Sequence, residues 1–257
     1  MSTALMPAHL HPFAFASVFC ALTLAATSGC AANDNERDAI EVVGGEYVSG
    51  FSSVSFGYQP GSHQIGTLAV DRLEVTAGDY LDCVVAGACP DIEGLNGLCN
   101  LSFGTVVRDR HPVNCVTLAD AEAYCSFVDA RLPTIFEWSW IAHRGDARPY
   151  PWGADEPSCE IMYMAEWPQY LDVGCGLGST GEVDTKPRDT TPDGVQDLGG
   201  NVQELTSTPW NPADETFGPT VGGSHFASRA AEGAAANFFW FEPSRTPEVG
   251  FRCVRDI

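Results

Sequence analysis

Ten cysteines and six histidines are the side chains of this 257-residue chain best suited to hold a soft metal or to do redox chemistry. Their spacing argues against zinc. No CxxC pair occurs, and the gaps between Cys83, Cys89, Cys99, Cys115, Cys125, Cys159, Cys175 and Cys253 are irregular, whereas structural zinc sites rely on closely spaced ligand pairs. The histidines, at positions 9, 11, 63, 111, 143 and 225, are dispersed. One segment, VGGSHFASRAAEG from Val221 to Gly233, carries a glycine pair, Ser224, His225 and Arg229 but no cysteine. A lone histidine in such a place reads as a hydrogen-bonded pocket or surface residue before it reads as a ligand. A second chemically capable stretch is DLGGNVQE, where Asp197 and Glu204 bracket Gly199 and Gly200. Taken alone, these acids cap a turn whose glycines permit a positive φ. No P-loop, nucleophile elbow or dinucleotide fingerprint is found.

Charge narrows the partners. Thirty-four acidic against thirteen basic residues give a formal net charge of -21, which repels phosphate backbones and anionic headgroups, so nucleic acid is excluded as a partner class. Residues 1–29 contain no Asp, Glu, Lys or Arg, and FAFASVFCALTLAA (Phe13 to Ala26) leads into Thr27, Ser28, Gly29 and Cys30. This reads as an export signal, its apolar run being too short to span a bilayer. TSGC resembles a lipoprotein processing site, with Cys30 as the lipidated first residue and residues 30–38 as a polar tether; plain secretion with Cys30 unmodified is the alternative. The expected location is therefore the cell envelope, as an outer-membrane lipoprotein touching the membrane by its anchor only, or the exterior. With Cys20 in the signal and Cys30 given to lipid, eight cysteines remain. In an exported chain they read as four disulfides, among 105 pairings that spacing cannot separate.

The elements that must position these residues are sparse. Thr76 with Asp79, Thr117 with Asp120, and Thr134 with Glu137 each place an acid three residues after a threonine and ahead of an apolar pattern. Each predicts a capped helix start. Leu118, Ala121, Cys125 and Val128 share one helical face, as do Phe136, Trp140 and His143 or Trp138, Ile141 and Ala142. IEVVGGEYVSG from Ile40 predicts a strand and tight turn, and FFWF and GFRCV predict short strands. With 26 glycines and 17 prolines elsewhere, the prediction is one α+β domain over residues 39–257, low in regular structure and stapled by disulfides. Trp138, Trp140 and Trp152 read as core anchors. Arg131 and Glu137 either pair or cap.

The order of the pieces carries more than any one of them. EVTAGDY (Glu74 to Tyr80), HPVNCVTLADAEAYC (His111 to Cys125), RLPTIFEW (Arg131 to Trp138), YPWG (Tyr150 to Gly153), DLGGNVQE, GGS (Gly222 to Ser224) and GFRCV (Gly250 to Val254) follow one another. This series resembles the formylglycine-generating enzyme, or sulfatase-modifying factor, family. The resemblance implies a variant of the C-type-lectin-like fold and a disulfide between Cys125 and Cys253. Proximity in sequence then suggests Cys159 with Cys175, leaving Cys83, Cys89, Cys99 and Cys115 to pair among themselves. It also implies a structural calcium ion held by side chains of Asp197 and Glu204 and carbonyls of Gly200 and Val202, in keeping with the oxygen ligands calcium takes.

Family enzymes oxidise a sulfatase cysteine with copper held by two cysteines five residues apart, just after the GGS block. Those positions fall here on Ala227 and Glu232, and neither side chain replaces a thiolate on Cu(I). The resemblance thus implies no copper site. A wider branch that uses iron held by histidines is not matched, since no HxxxH or HxE pattern occurs. The expected function is an exported, lipid-anchored, non-catalytic binding or structural module, with Ser224, His225 and Arg229 beside a candidate pocket and a protein or glycan as partner. The alternative is a formylglycine-generating oxidase acting on a sulfatase cysteine.

Overall fold

Each of the three threonine-acid pairs starts a helix. Helices α1 (Ala77–Val85), α2 (Leu118–Phe127) and α3 (Ile135–His143) are preceded by Thr76, Thr117 and Thr134. In each the threonine hydroxyl accepts from the acid's backbone N–H, at 3.1, 3.3 and 3.2 Å, while the acid accepts from the threonine N–H at 3.4, 2.8 and 2.7 Å. Two otherwise unpaired donors are satisfied per helix, worth about 1 kcal/mol a cap. The computed structural model describes residues 38–49, 61–92, 97–102, 104–106, 108–146, 148–165, 172–208, 220–226, 238–239 and 245–257. The export signal and Cys30 lie outside the described residues.

The strands are short: β1 (Ala39–Val42), β2 (Gly45–Ser49), β3 (Gly61–Ile65), β4 (Leu68–Asp71), β5 (Leu101–Ser102), β6 (Thr105–Val106), β7 (Gln203–Leu205), β8 (Thr220–Val221), β9 (Phe238–Phe239), β10 (Val249–Gly250) and β11 (Val254–Asp256). β4 is the centre of an antiparallel sheet, with β1 and β11 on its two sides and Val70 opposite both Ile40 and Val254. A second sheet runs β10-β7-β8-β9, in which β10 and β7 are parallel. β2 pairs with β3, and β5 with β6.

The stretch from Ile40 departs from its expected form. β1 and β2 do not fold back on each other; the glycine pair between them passes the chain from the β4 sheet to β3. A Cβ at Gly44 would run into the Ile65 carbonyl and one at Gly45 into the Trp140 ring. Close approach therefore dictates glycine at both positions.

Two apolar clusters fill the interior. One joins α1, α2 and the C-terminal segment through Val75, Tyr80, Leu101, Tyr124 and Phe251, with Tyr124 meeting Phe251 edge-on at 5.6 Å. The other packs α3 on the β4 sheet through Leu68, Val70, Trp138, Ile141 and Val195. Helix α3 buries Ile135, Trp138, Ser139, Trp140, Ile141 and Ala142, so the expected Trp138, Ile141 and Ala142 face is buried, whereas of Phe136, Trp140 and His143 only Trp140 is. Disulfides join Cys83 to Cys89, Cys99 to Cys115, Cys125 to Cys253 and Cys159 to Cys175. The third closes a separation of 128 residues and ties α2 to the end of the chain. Arg131 pairs with Glu137 at 2.7 Å and also with Asp256. Among the described residues no helix is long and apolar enough to cross a membrane.

Candidate functional site

The parallel pairing of β7 with β10 sets Gly250 opposite Glu204, which brings the terminal GFRC against DLGGNVQE. Gly250 has no room for a side chain, since a Cβ would stand 2.7 Å from both the Val113 carbonyl oxygen and Val202 Cγ2. Two residues on, Arg252 is fully buried. Its Nε donates to Glu204 Oε1 and Oε2 at 2.8 and 2.9 Å, and its Nη2 to Glu204 Oε1 at 2.6 Å and Gln196 O at 2.7 Å. Nη1 donates to the carbonyls of Asp71 and Arg72, both at 3.1 Å. Trp138 Nε1 completes the set by donating to Glu204 Oε2 at 2.7 Å. A buried guanidinium must have its charge and its donors matched, and this one is matched by one carboxylate and three carbonyls.

Three more buried acids share this corner. Glu74 accepts from Asn201 Nδ2 at 2.7 Å and Val202 N at 3.2 Å; Asp189 accepts from Gly199 N at 3.0 Å; Asp197 accepts from Asp184 N at 3.1 Å. Burial, reinforced by the Asp197 and Glu204 charges, holds the Glu74 carboxyl well above the usual range. Burial and the Asp197 charge do the same to Asp189. Asp197 is pushed up to about 6, chiefly by burial, with the nearby Arg252 pulling the other way.

This arrangement bears on the calcium expectation for Asp197, Gly200, Val202 and Glu204. The chain does gather them, but each oxygen of Glu204 already accepts two hydrogen bonds from Arg252 and Trp138. A carboxylate has about four lone-pair positions, and a divalent cation on Glu204 would lie against the guanidinium. The donor set therefore does not fit calcium as it stands. Among the described residues no group of three or more His, Cys, Asp or Glu side chains is placed to hold a metal ion. The glycines also differ from expectation. Positive φ falls on Asp197 (59°) and Asn201 (64°) and not on the pair between them. Gly199 and Gly200 are required instead by contact, where a Cβ would strike the Trp152 ring and the Tyr163 carbonyl.

The GGS block ends differently from the expected pocket. Gly222 takes φ 82° under the Trp138 ring, and Ser224 and His225 are each 1% exposed. His225 Nδ1 meets Asn201 O at 2.8 Å, its carbonyl accepts from Gly174 N at 2.8 Å, and burial pushes the imidazole down to about 4. It is a neutral internal strut, tying the 222–225 segment to Asn201 and to the loop held by the Cys159–Cys175 disulfide. Ala227, Arg229 and Glu232 lie outside the described residues. All eight cysteines from Cys83 onward are in disulfides, so the described residues offer no thiolate.

Sequence reasoning passed over Arg252, Glu74 and Asp189. A signal existed for the first: a cation between Phe251 and Cys253, in an apolar terminal run, must be buried and therefore paired. Glu74 and Asp189 carried no such mark, because their partners lie at Asn201, Val202 and Gly199.

With this geometry in hand, known proteins supply a comparison. Residues 25–257 match the family model described as the sulfatase-modifying factor enzyme 1-like domain. The chain is similar to the formylglycine-generating enzyme of Mycobacterium tuberculosis, 30% identical over 177 residues that cover 58% of this chain and 58% of that one. It is also similar to the inactive C-alpha-formylglycine-generating enzyme 2 of Bos taurus, 30% identical over 162 residues that cover 59% of this chain and 53% of that one. The chain thus spans a little over half the length of each relative. The solved structure of PvdO from Pseudomonas aeruginosa shares the fold, with a TM-score of 0.63, 20% identity and coverage of 85% of this chain and 94% of that one.

Proposed function

The chain belongs to the sulfatase-modifying factor enzyme 1-like domain family, and from that membership we propose that it is a non-catalytic binding or structural module, exported and held to the cell envelope by lipid on Cys30. The observation that carries the proposal is the fate of its thiols. Family oxidation requires two free cysteines on copper, whereas the eight cysteines from Cys83 to Cys253 are consumed as staples. The other two, Cys20 and Cys30, belong to the N-terminal segment. A carboxylate is too hard to replace a thiolate on Cu(I), and His225 is a lone imidazole, buried and internally bonded. What supports a binding role is the division of labour. Buried polar networks and disulfides fix the scaffold, and loops on such a scaffold are where binding residues are commonly carried.

The test is direct. Purified protein loaded with copper and supplied with oxygen and a cysteine-bearing sulfatase peptide should leave the peptide mass unchanged. Conversion of the thiol to the aldehyde would establish the alternative, a formylglycine-generating oxidase, and end the non-catalytic reading.

A further inference from the structure

Ten arginines fall among the described residues, and nine form an ion pair with a carboxylate. The tenth is Arg108. Its one side-chain hydrogen bond there goes to a neutral amide, from Nη1 to Asn100 Oδ1 at 3.2 Å. In a chain with 34 acidic and 13 basic residues, leaving one guanidinium without a carboxylate needs a cause. The nearby acids do not pair with it. Glu182 pairs with Arg110 at 3.2 Å, and Asp109 lies against Gly78 in the first turn of α1.

Beside Arg108 stands His111, also half-exposed, whose backbone N–H donates to the Arg108 carbonyl at 3.2 Å. His111 Nδ1 is 2.9 Å from Thr180 Oγ1, and that hydroxyl already accepts from Asn100 Nδ2 at 2.8 Å. When Thr180 gives its own proton to Nδ1, the ring hydrogen of His111 is on Nε2, so the imidazole presents a donor. Burial and the Arg108 charge together hold His111 below its ordinary value. Asn100 is the keystone. It is fully buried, takes Asn114 Oδ1 on its backbone N–H at 2.7 Å and reaches Pro112 O at 2.8 Å. An accessible guanidinium is thereby held by a rigid floor.

We propose that Arg108 and His111 form a receptor for a small oxyanion, the carboxylate or sulfate of an acidic sugar, as the ligand of the binding module inferred above. A guanidinium fork matches either oxyanion with two parallel N–H donors, and His111 adds a third when Thr180 donates to its Nδ1. The net charge of -21 selects among anions: dense polyanions such as nucleic acid and anionic membrane are repelled as a whole, whereas one isolated charge is screened from remote carboxylates within about 8 Å at physiological salt.

The experiment is calorimetric titration of the full chain with galacturonate, with galactose 6-sulfate and with neutral galactose. Galacturonate or galactose 6-sulfate should bind and galactose should bind at least about tenfold more weakly; which oxyanion binds tells carboxylate from sulfate. Arg108→Gln should weaken the oxyanion by about tenfold or more, His111→Gln by less, and Arg188→Gln, at an exposed arginine paired with Asp155, should change nothing. Equal binding of galactose, undiminished binding by Arg108→Gln, or no binding by either acidic sugar overturns the receptor. Arg108→Lys keeps the charge without the fork and should retain part of the affinity, a check independent of any folding defect in Arg108→Gln. Failure here leaves the non-catalytic reading standing, and conversion of a sulfatase peptide would sink that reading without touching the receptor.

Discussion

Asp197→Asn should stabilise this protein at neutral pH, and the amount follows from the structure. The Asp197 carboxyl is 2% exposed and pushed up to about 6, against about 3.9 for an unperturbed aspartate. The folded chain therefore holds a proton that the unfolded chain has released between about pH 4 and pH 6, and stability falls as pH rises through that window. Above it the ionised carboxylate costs about two pKa units, or about 3 kcal/mol. Asparagine removes the charge yet keeps an oxygen to accept the Asp184 N–H, which Asp197 Oδ2 now takes at 3.1 Å. Urea unfolding with the disulfides intact and a chelator present should show a gain of about 3 kcal/mol or less at pH 7.5, shrinking toward zero near pH 4. Loss of stability at pH 7.5, or a gain independent of pH, would refute the reasoning. So would calcium raising the wild-type midpoint and not that of the variant, since Asp197 would then be a cation ligand.

Glu204→Gln should be among the costliest substitutions in the domain. It leaves the fully buried Arg252 without the one carboxylate it pairs with among the described residues, and breaking a buried pair from one side costs about 3 to 5 kcal/mol. The double variant Glu204→Gln/Arg252→Met should recover much of that loss in the same urea titration, and equal losses in the single and double variants would count against the pairing as the cause. For the anchor, the full-length chain expressed in a bacterial host should fractionate with membranes and Cys30→Ser should move to the soluble fraction; identical fractionation would show that Cys30 carries no lipid.

Legibility followed the range of the interaction. Thr76 with Asp79, Thr117 with Asp120 and Thr134 with Glu137 are three residues apart, and local geometry turns such spacing into a cap wherever a helix follows. The ordered motifs, read together, pointed to the family and to an α+β fold with few helices. Arg131 and Glu137, six residues apart, were legible as a pair or a cap and serve as both. The burial of His225 was not, because it rests on Asn201 and on the loop around Gly174, neither of which a neighbouring residue signals.

Composition, charge, the even set of eight cysteines and the helix starts were decided by the sequence itself, since each depends on residue type or on neighbours within one turn of chain. The partner of Glu204, the elevated carboxyl of Asp197 and the unpaired state of Arg108 were decided only by the tertiary structure. Glu204 meets a guanidinium 48 residues away, Asp197 is raised by burial among distant groups, and Arg108 is distinguished from the nine other arginines among the described residues by where their acids went. Desolvation and long-range pairing are properties of a folded surrounding; a local pattern can mark a cation such as Arg252 for burial, but it does not name the partner.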